Sequence, residues 1–195
     1  GSSLLWKHHH VLMHHADTNI LDYDPDVAGE LVRLHHATDL HMFHNFQSIY
    51  VWFLLPLLPI SWHFKEIYDI ISMRHCEYNI SNMARNEALI ALSFRFIFLF
   101  RFYIIPLYYY PSFHTIACIL NTLIIGGAYL GVNFIISHNF EGVNPCLIKN
   151  IKEKKDWALH QVESSSTVGG RLLGYFHGGL NYQIEHHLFP RISHV

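Results

Sequence analysis

The chain has 195 residues, a length that suits one domain, and its formal net charge is −2. Hydrophobic residues make up 51% and charged residues 14%, against about 25% charged residues in soluble domains. The composition therefore favours a membrane protein and excludes the basic footprint of a nucleic-acid-binding one. The mean hydropathy of +0.17 indicates that the apolar residues are concentrated in segments.

The usage of histidine and cysteine indicates metal chemistry without disulfides. Eighteen histidines exceed the thirteen lysines and arginines, a density that is typical of metal binding. Cys76, Cys118 and Cys146 are isolated and form no C-x-x-C motif, which excludes a disulfide framework and a zinc ribbon. The start, GSSLLW, has neither an initiator Met nor a signal-peptide pattern. We expect the chain to be a fragment.

The first predicted element is the histidine-rich stretch WKHHHVLMHHADTN at residues 6–19. His10, His14 and His15 form an H-x3-H-H pattern. On an α-helix, positions 10 and 14 lie on one face, and His15 lies about 100° around from His14. Neighbouring histidines at that angle can serve two different metals. We assign no role to His8 and His9.

The next apolar stretch, IYVWFLLPLLPISW at residues 49–62, is predicted to lie in the membrane interface. It has only 14 residues, whereas a transmembrane helix needs about 20. Pro56 and Pro59 also interrupt the hydrogen-bond ladder of a helix. The histidines around this stretch and elsewhere are interpreted as surface or interfacial residues: His35, His36, His41, His44, His63, His75, His114, His160, His177 and His194.

Residues 88–110 and 113–137 are long enough to span a membrane and are joined by a short PSF turn, so they predict an antiparallel transmembrane hairpin. Basic residues flank the pair on both outer sides and are absent from the turn, which predicts two cytosolic ends. The run at residues 149–156 is interpreted as a solvated face, or as a surface for anionic lipid or for the acidic surface of a partner protein. Arg95 lies near the middle of its helix and is expected to need a partner inside the bundle.

Two crossings return the chain to the side on which it began, where His138 follows the second helix. Further on, LNYQIEHHLFP contains Gln183, His186 and His187 at i, i+3, i+4 spacing, which places them on one helical face. Six or so nitrogen ligands suit two metals, and imidazole suits Zn, Cu, Fe or Ni. Four polar residues are candidates for orienting the imidazoles: Asp17, Asn19, Asn139 and Glu185.

Two histidine-containing segments resemble a known family. HVLMHHADTN and LNYQIEHHLFPRISHV are similar to the second and third histidine boxes of membrane fatty acid desaturases. Gln183 replaces the first histidine of the third box, and this replacement is similar to that of the front-end group. Front-end desaturases act between an existing double bond and the carboxyl end of the acyl chain. LDYDPDV, SHNFEG and WALHQVESSSTVGG are also similar to that group. The resemblance covers nearly the whole chain.

The resemblance implies an all-α, multi-pass integral membrane protein of the endoplasmic reticulum, with cytosolic histidine-box helices. It implies two iron ions, molecular oxygen, and electrons from cytochrome b5 and its reductase. The substrate would be a fatty acyl lipid or an acyl-CoA. Residues 1–195 would form the C-terminal part of a desaturase domain, with box two at 10–15 and box three at 183–187. The implied iron ligands are His10, His14, His15, His138, Gln183, His186 and His187.

The family's first box, H-x3-4-H, lies upstream of box two and is missing here, as is the fused N-terminal cytochrome b5 domain with its H-P-G-G motif. We expect residues 1–195 alone to be inactive. Alternatives on the same scaffold are a sphingolipid long-chain-base desaturase and an acyl hydroxylase, and a truncated non-catalytic relative is a further one. A histidine-rich membrane metal-binding or transport protein is disfavoured. Transport predicts ionisable residues along a pathway inside the spans, whereas the clustered histidines lie outside them and the only charged or amide residues of the predicted spans, beyond their first few positions, are Arg95 and Arg101 with Asn121 and Asn133.

Overall fold

Helices make up most of the chain. The computed structural model describes residues 2–76, 78–80, 85–143 and 156–192, so most of the basic run at 149–156 lies outside the described residues. The α-helices are α1 (Ser3–Trp6), α2 (His15–Asp17), α3 (Gln47–Leu54), α4 (Leu58–Ser72), α5 (Arg85–Leu99), α6 (Ile105–Tyr109), α7 (Phe113–His138), α8 (Trp157–Ser164), α9 (Arg171–His177) and α10 (Gln183–Leu188).

Shorter elements join these helices. Lys7–His14 and Phe100–Ile104 are π-helical, and Met42–Phe46 and Leu55–Leu57 are 3-10 turns. The strands β1 (Arg74–His75) and β2 (Tyr78–Asn79) form one antiparallel pair. The prediction of a helical protein is confirmed, with this two-residue strand pair as a small exception.

Two helices within the described ranges are long and apolar enough to cross a membrane. They are Arg85–Tyr109, with 25 residues, and Phe113–His138, with 26. The first combines α5, the π-helical turn and α6, and the second is α7. Phe94, Phe96 and Ile97 of α5 are all more than half exposed, as side chains that contact lipid would be. The prediction of two helices of spanning length is confirmed, and their bounds agree with the predicted ones to within a few residues.

The proline-containing stretch at 49–62 is divided among α3, the 3-10 turn and the start of α4. Pro56 lies in the first turn of the 3-10 element and Pro59 in the first turn of α4. No amide hydrogen is needed for the helical hydrogen-bond ladder at these positions. Gly127 of α7 lies against this stretch: a Cβ atom on Gly127 would be 2.6 Å from the Pro56 carbonyl oxygen. The interfacial location of residues 49–62 stays a prediction.

The chain divides into two compact units. The first unit comprises the described residues of Gly1–His9 and Trp52–Tyr129. Its small core contains four buried residues: Leu5, Ile70, Ile80 and Ala91. Arg95 is buried and forms an ion pair with Glu66 of α4, and the Glu66 carboxylate also accepts a hydrogen bond from the Ser2 amide at 2.9 Å. Arg95 therefore has the partner inside the bundle that its position demands.

The second unit comprises the described residues of His10–Val51 and Leu130–Val195. Backbone hydrogen bonds hold its last third together. The Ser166 amide donates to the Ser137 carbonyl at 2.9 Å, and the Val168 amide donates to the Asn181 carbonyl at 2.9 Å. Ser166 and Val168 both lie between α8 and α9. The two bonds therefore hold this connecting stretch against the end of α7 and against the segment that precedes α10.

Candidate metal centre

Three histidines of the second unit form a first triad through their Nε2 atoms. His10 and His15 are 3.2 Å apart, and the Nε2 of His186 lies 3.1 Å from each of them. The residues are close in space although His186 is 176 positions after His10. The first triad thus joins the start of the chain to α10.

A second triad consists of His14, His138 and His187. The Nε2 of His138 lies 3.3 Å from the Nε2 of His14 and 3.3 Å from that of His187. The amide of Gln183 reaches the same space, with its Nε2 3.0 Å from His138 and 3.4 Å from His187. All seven residues that the sequence predicted as ligands are therefore brought together in these two groups.

The π-helix explains how the first histidines are divided. An α-helical register, which would place positions 10 and 14 on one face, was predicted for this segment, and that register is wrong because Lys7–His14 is π-helical. A π-helix has i→i+5 hydrogen bonds, so His10 instead meets His15. His14 enters the second triad. In α10 the adjacent His186 and His187 are likewise divided, one to each triad.

The two triads lie side by side. The rings of His15 and His187 stack with centroids 4.1 Å apart and an interplanar angle of 3°, and those of His10 and His14 stack at 5.3 Å. Each stacked pair has one ring from each triad. Two cations bound at the triads would therefore be close neighbours.

Hydrogen bonds at Nδ1 define the tautomers of the second triad. The Nδ1 of His14 is 2.9 Å from Oδ2 of Asp24, a carboxylate that can only accept. The Nδ1 of His138 donates to the Ser164 carbonyl at 3.1 Å, and that of His187 donates to Oε1 of Gln161 at 2.7 Å. With the proton on Nδ1, each Nε2 presents a lone pair to the centre of the triad. Three converging lone pairs repel one another unless a cation lies between them.

Burial favours the uncharged form of several triad histidines. Burial, the largest cause, together with the neighbouring histidines lowers the pKa of His10 to about 2 and that of His15 to about 4. Burial also lowers the pKa of His187 strongly. These imidazoles are neutral at physiological pH, which is the form that binds a metal.

The donor set fits two transition-metal ions. Each triad offers three imidazole nitrogens, a ligand type that suits iron, zinc, copper or nickel. His14 is 1% exposed and His187 is 0% exposed, so bulk water has little access to the second triad. Three protein nitrogens leave further coordination positions for other ligands.

Helix α8 supports both triads, a role that the sequence analysis missed. Its Trp157 donates from Nε1 to the His15 carbonyl at 3.0 Å, and its His160 donates from Nε2 to the Thr18 carbonyl at 2.7 Å. Gln161 and Ser164 provide the acceptors for His187 and His138. Trp157, His160, Gln161 and Ser164 have i, i+3, i+4, i+7 spacing, and this polar stripe is a signal that could have revealed the buried face.

Asp24 is a further residue beside the triads that the sequence did not reveal. The residues that were predicted to orient the imidazoles make other contacts. Asp24 is 0% exposed and also accepts from the Asn19 amide at 2.7 Å. The Asn19 side chain donates to the His138 carbonyl at 2.8 Å, so it contacts the backbone of a triad residue rather than its ring. Glu185 is exposed and accepts from the Thr167 hydroxyl at 2.6 Å. An acceptor for a buried histidine is hard to locate from sequence when the contact crosses a loop.

The protein is helical, with two helices long enough to cross a membrane and two adjacent triads of imidazoles that could bind metal ions. These features are those of a membrane metalloprotein. The family model described as fatty acid desaturase matches residues 1–195, and the chain belongs to the fatty acid desaturase family. No solved structure matches the chain.

Several curated relatives are similar to this chain. An acyl-lipid (7-3)-desaturase of Rebecca salina is 40% identical over 202 residues, which cover 100% of this chain and 44% of the relative. A protein of the same name from Diacronema lutheri is 38% identical over 196 residues, with 100% and 44% coverage. The sn-1 linoleoyl-lipid 6-desaturase of Arthrospira platensis is 28% identical over 201 residues, with 100% and 54% coverage. The chain thus spans about half the length of these relatives.

Proposed function

We propose that the whole protein introduces a double bond into a fatty acyl chain, using molecular oxygen and a pair of irons. The observation that carries the proposal is the pair of adjacent triads, His10–His15–His186 and His14–His138–His187, whose Nε2 atoms converge. When bound, two irons would supply the activation of oxygen that removal of hydrogen from an unactivated C–H bond requires. The names of the relatives support an acyl lipid as the substrate.

The residues around the triads would hold the ligands in one protonation state. Asp24, Gln161 and the Ser164 carbonyl each keep a proton on the Nδ1 atom of a ligand. Such partners raise the basicity of a metal-binding imidazole and fix the orientation of its ring. The low exposure of the second triad would limit the access of water to the reacting carbon.

Gln183 would mark the front-end specificity. Its amide occupies a position at the second triad where a third histidine from α10 would otherwise lie. Rotation of the amide would present Oε1 in place of Nε2, so Gln183 would offer an oxygen to a metal or to a metal-bound water. We propose the front-end group as the subtype on this basis, with the long-chain-base desaturase and the hydroxylase as the alternatives.

The membrane arrangement belongs to the same proposal. Histidines from before α5 and from after α7 meet within one unit, and an even number of crossings would return the chain to the same side of the bilayer. We propose that Arg85–Tyr109 and Phe113–His138 form a hairpin in the endoplasmic reticulum, with the triads facing the cytosol. Cytochrome b5 and its reductase would supply the electrons there.

Expression of the full-length protein in yeast tests the activity. Fatty acids extracted from the lipid fraction are expected to contain a new double bond between an existing one and the carboxyl end. His187→Ala is expected to abolish the product and reduce the iron content, whereas His36→Ala, on an exposed histidine, should preserve both. A hydroxylated product or an unsaturated long-chain base would identify an alternative. Full activity of His187→Ala would refute the assignment of the triads.

A further inference from the structure

A second cluster of metal-ligating side chains lies in the first unit. The Nδ1 of His9 is 2.9 Å from the Nε2 of His75. The Sγ of Cys76 lies 3.7 Å from that His9 nitrogen and 3.6 Å from that His75 nitrogen. Two imidazoles and a thiol thus converge on one small volume, and none of the three belongs to the triads. We propose that His9, His75 and Cys76 bind a zinc-type divalent cation.

The distances suit tetrahedral coordination. With metal–nitrogen bonds of about 2.0 Å and a metal–sulfur bond of about 2.3 Å, tetrahedral ligands are separated by about 3.3 Å for two nitrogens and about 3.5 Å for nitrogen and sulfur. The nitrogen–sulfur distances of 3.6 and 3.7 Å agree with this geometry. The two nitrogens, at 2.9 Å, need to separate by only a few tenths of an ångström.

The backbone of the strand pair brings two of the ligands together. His75 ends β1, and Cys76 follows in the turn that leads to β2. Cys76 has a φ of 46°, in the left-handed region that residues other than glycine seldom adopt. This conformation directs its sulfur to the same side as the His75 ring, so the turn supplies two adjacent ligands and the π-helical segment supplies the third.

A buried carboxylate orients the central ligand. The Nδ1 of His75 donates to Oδ2 of Asp69 at 2.7 Å, and both residues are buried. This leaves the lone pair on Nε2, which faces the cluster. Carboxylate–histidine pairs of this kind commonly support zinc ligands. Lys65 lies on the open side with its Nζ 3.5 Å from the sulfur, and its exposed, flexible side chain can turn toward water when a cation binds.

The ligand chemistry separates this cluster from the triads. The triads offer imidazole alone, whereas this cluster adds a thiolate, a softer ligand that zinc accepts together with imidazole. Three protein ligands leave a fourth position for water. The cation would fasten the start of the chain to the strand pair 66 residues later. This site does not depend on the proposed desaturation.

Cobalt titration of the purified full-length protein tests the site. Under reducing conditions and after removal of bound metal, Co²⁺ is expected to give a thiolate-to-cobalt charge-transfer band in the near ultraviolet, which zinc abolishes. Cobalt held by histidines alone gives no such band. Cys76→Ser should remove the band and leave the absorption of histidine-bound cobalt, whereas Cys118→Ser should keep it. Asp69→Asn should weaken the affinity about 10–100-fold.

X-ray absorption of the zinc-loaded protein is the second measurement. One sulfur neighbour at about 2.3 Å from zinc is expected in part of the bound metal, and the sulfur signal should disappear in Cys76→Ser. Absence of the charge-transfer band in the wild type, or its persistence in Cys76→Ser, would overturn the proposal. So would a zinc coordination shell of nitrogen and oxygen only.

Discussion

Asp24→Asn tests whether the carboxylate behind His14 controls the second triad. The Oδ2 of Asp24 accepts from the His14 ring at 2.9 Å and from the Asn19 amide at 2.7 Å, while its Oδ1 accepts from the Asp26 amide at 3.0 Å. All three partners are donors. An asparagine has one acceptor oxygen, so its amide group must face at least one of them, and the negative charge is lost.

The expected magnitude follows from these contacts. If the asparagine oxygen remains at the Oδ2 position, the His14 tautomer survives with a weaker, neutral acceptor. Loss of such a partner typically lowers metal affinity 10–100-fold, which corresponds to about 1.4–2.8 kcal/mol. If the amide group turns toward His14 instead, the ring must place its proton on Nε2 and cannot bind a metal there. Either arrangement weakens the second triad.

Asp26→Asn is the matched control. Asp26 is also near His14, at 3.3 Å, but its side chain is 46% exposed. Because exposed ion pairs contribute only about 0.2–1 kcal/mol, Asp26→Asn should lower the metal affinity less than about fivefold. Calorimetric titration of the metal-free protein with a divalent ion gives the affinity, and circular dichroism confirms the fold. Equal affinities for Asp24→Asn, Asp26→Asn and the wild type would refute the role of Asp24.

Three further predictions concern pH and packing. Burial, with the neighbouring histidines, holds the pKa of His15 at about 4. Below about pH 6.5 the unfolded chain therefore takes up a proton that the folded metal-free chain does not, and stability is lost as the pH falls from 6.5 toward 4. A melting temperature that stays constant over this range would contradict the reasoning. Gly127→Ala places a methyl group against backbone and should cost about 1–3 kcal/mol in unfolding free energy. Gly126→Ala faces open space and should instead stabilise its helix by about 0.5–1 kcal/mol, so equal melting temperatures for the two variants would be inconsistent with this packing. Arg95→Ala leaves the Glu66 carboxylate without its buried counter-charge and should lower the free energy of unfolding by about 3–5 kcal/mol. Adding Glu66→Gln should restore much of this loss. A double variant no more stable than Arg95→Ala would argue against the ion pair.

The long helices could be predicted from sequence because hydropathy is a local property. Residues 88–110 and 113–137 are long and mainly apolar, and the structure begins and ends the corresponding helices within a few residues of them. The prolines of 49–62 also had a local meaning, since each lies in the first turn of a new short element and so divides the stretch. Length and proline content were sufficient for these elements.

The arrangement of the histidines needed information that no local pattern contains. The ligand residues were recognisable by type, but their division into two triads depends on a π-helical register at Lys7–His14, which an α-helical reading misses. The partnership of His9 and His75 with Cys76 depends on a contact across 66 residues. Such pairings follow from tertiary packing, and an isolated cysteine or histidine gives no sign of them.

The order of the ligands along the chain has a consequence for biosynthesis. His10 and His15 precede both long helices, but the residue that completes their triad is His186, which follows them. The ribosome must therefore produce both long helices before the first triad can exist. A nascent chain interrupted between α7 and α10 would contain His10, His14, His15 and His138 without the closing pair. A metal that binds all three histidines of a triad would therefore have to enter after the segment from His10 to His187 has been synthesised.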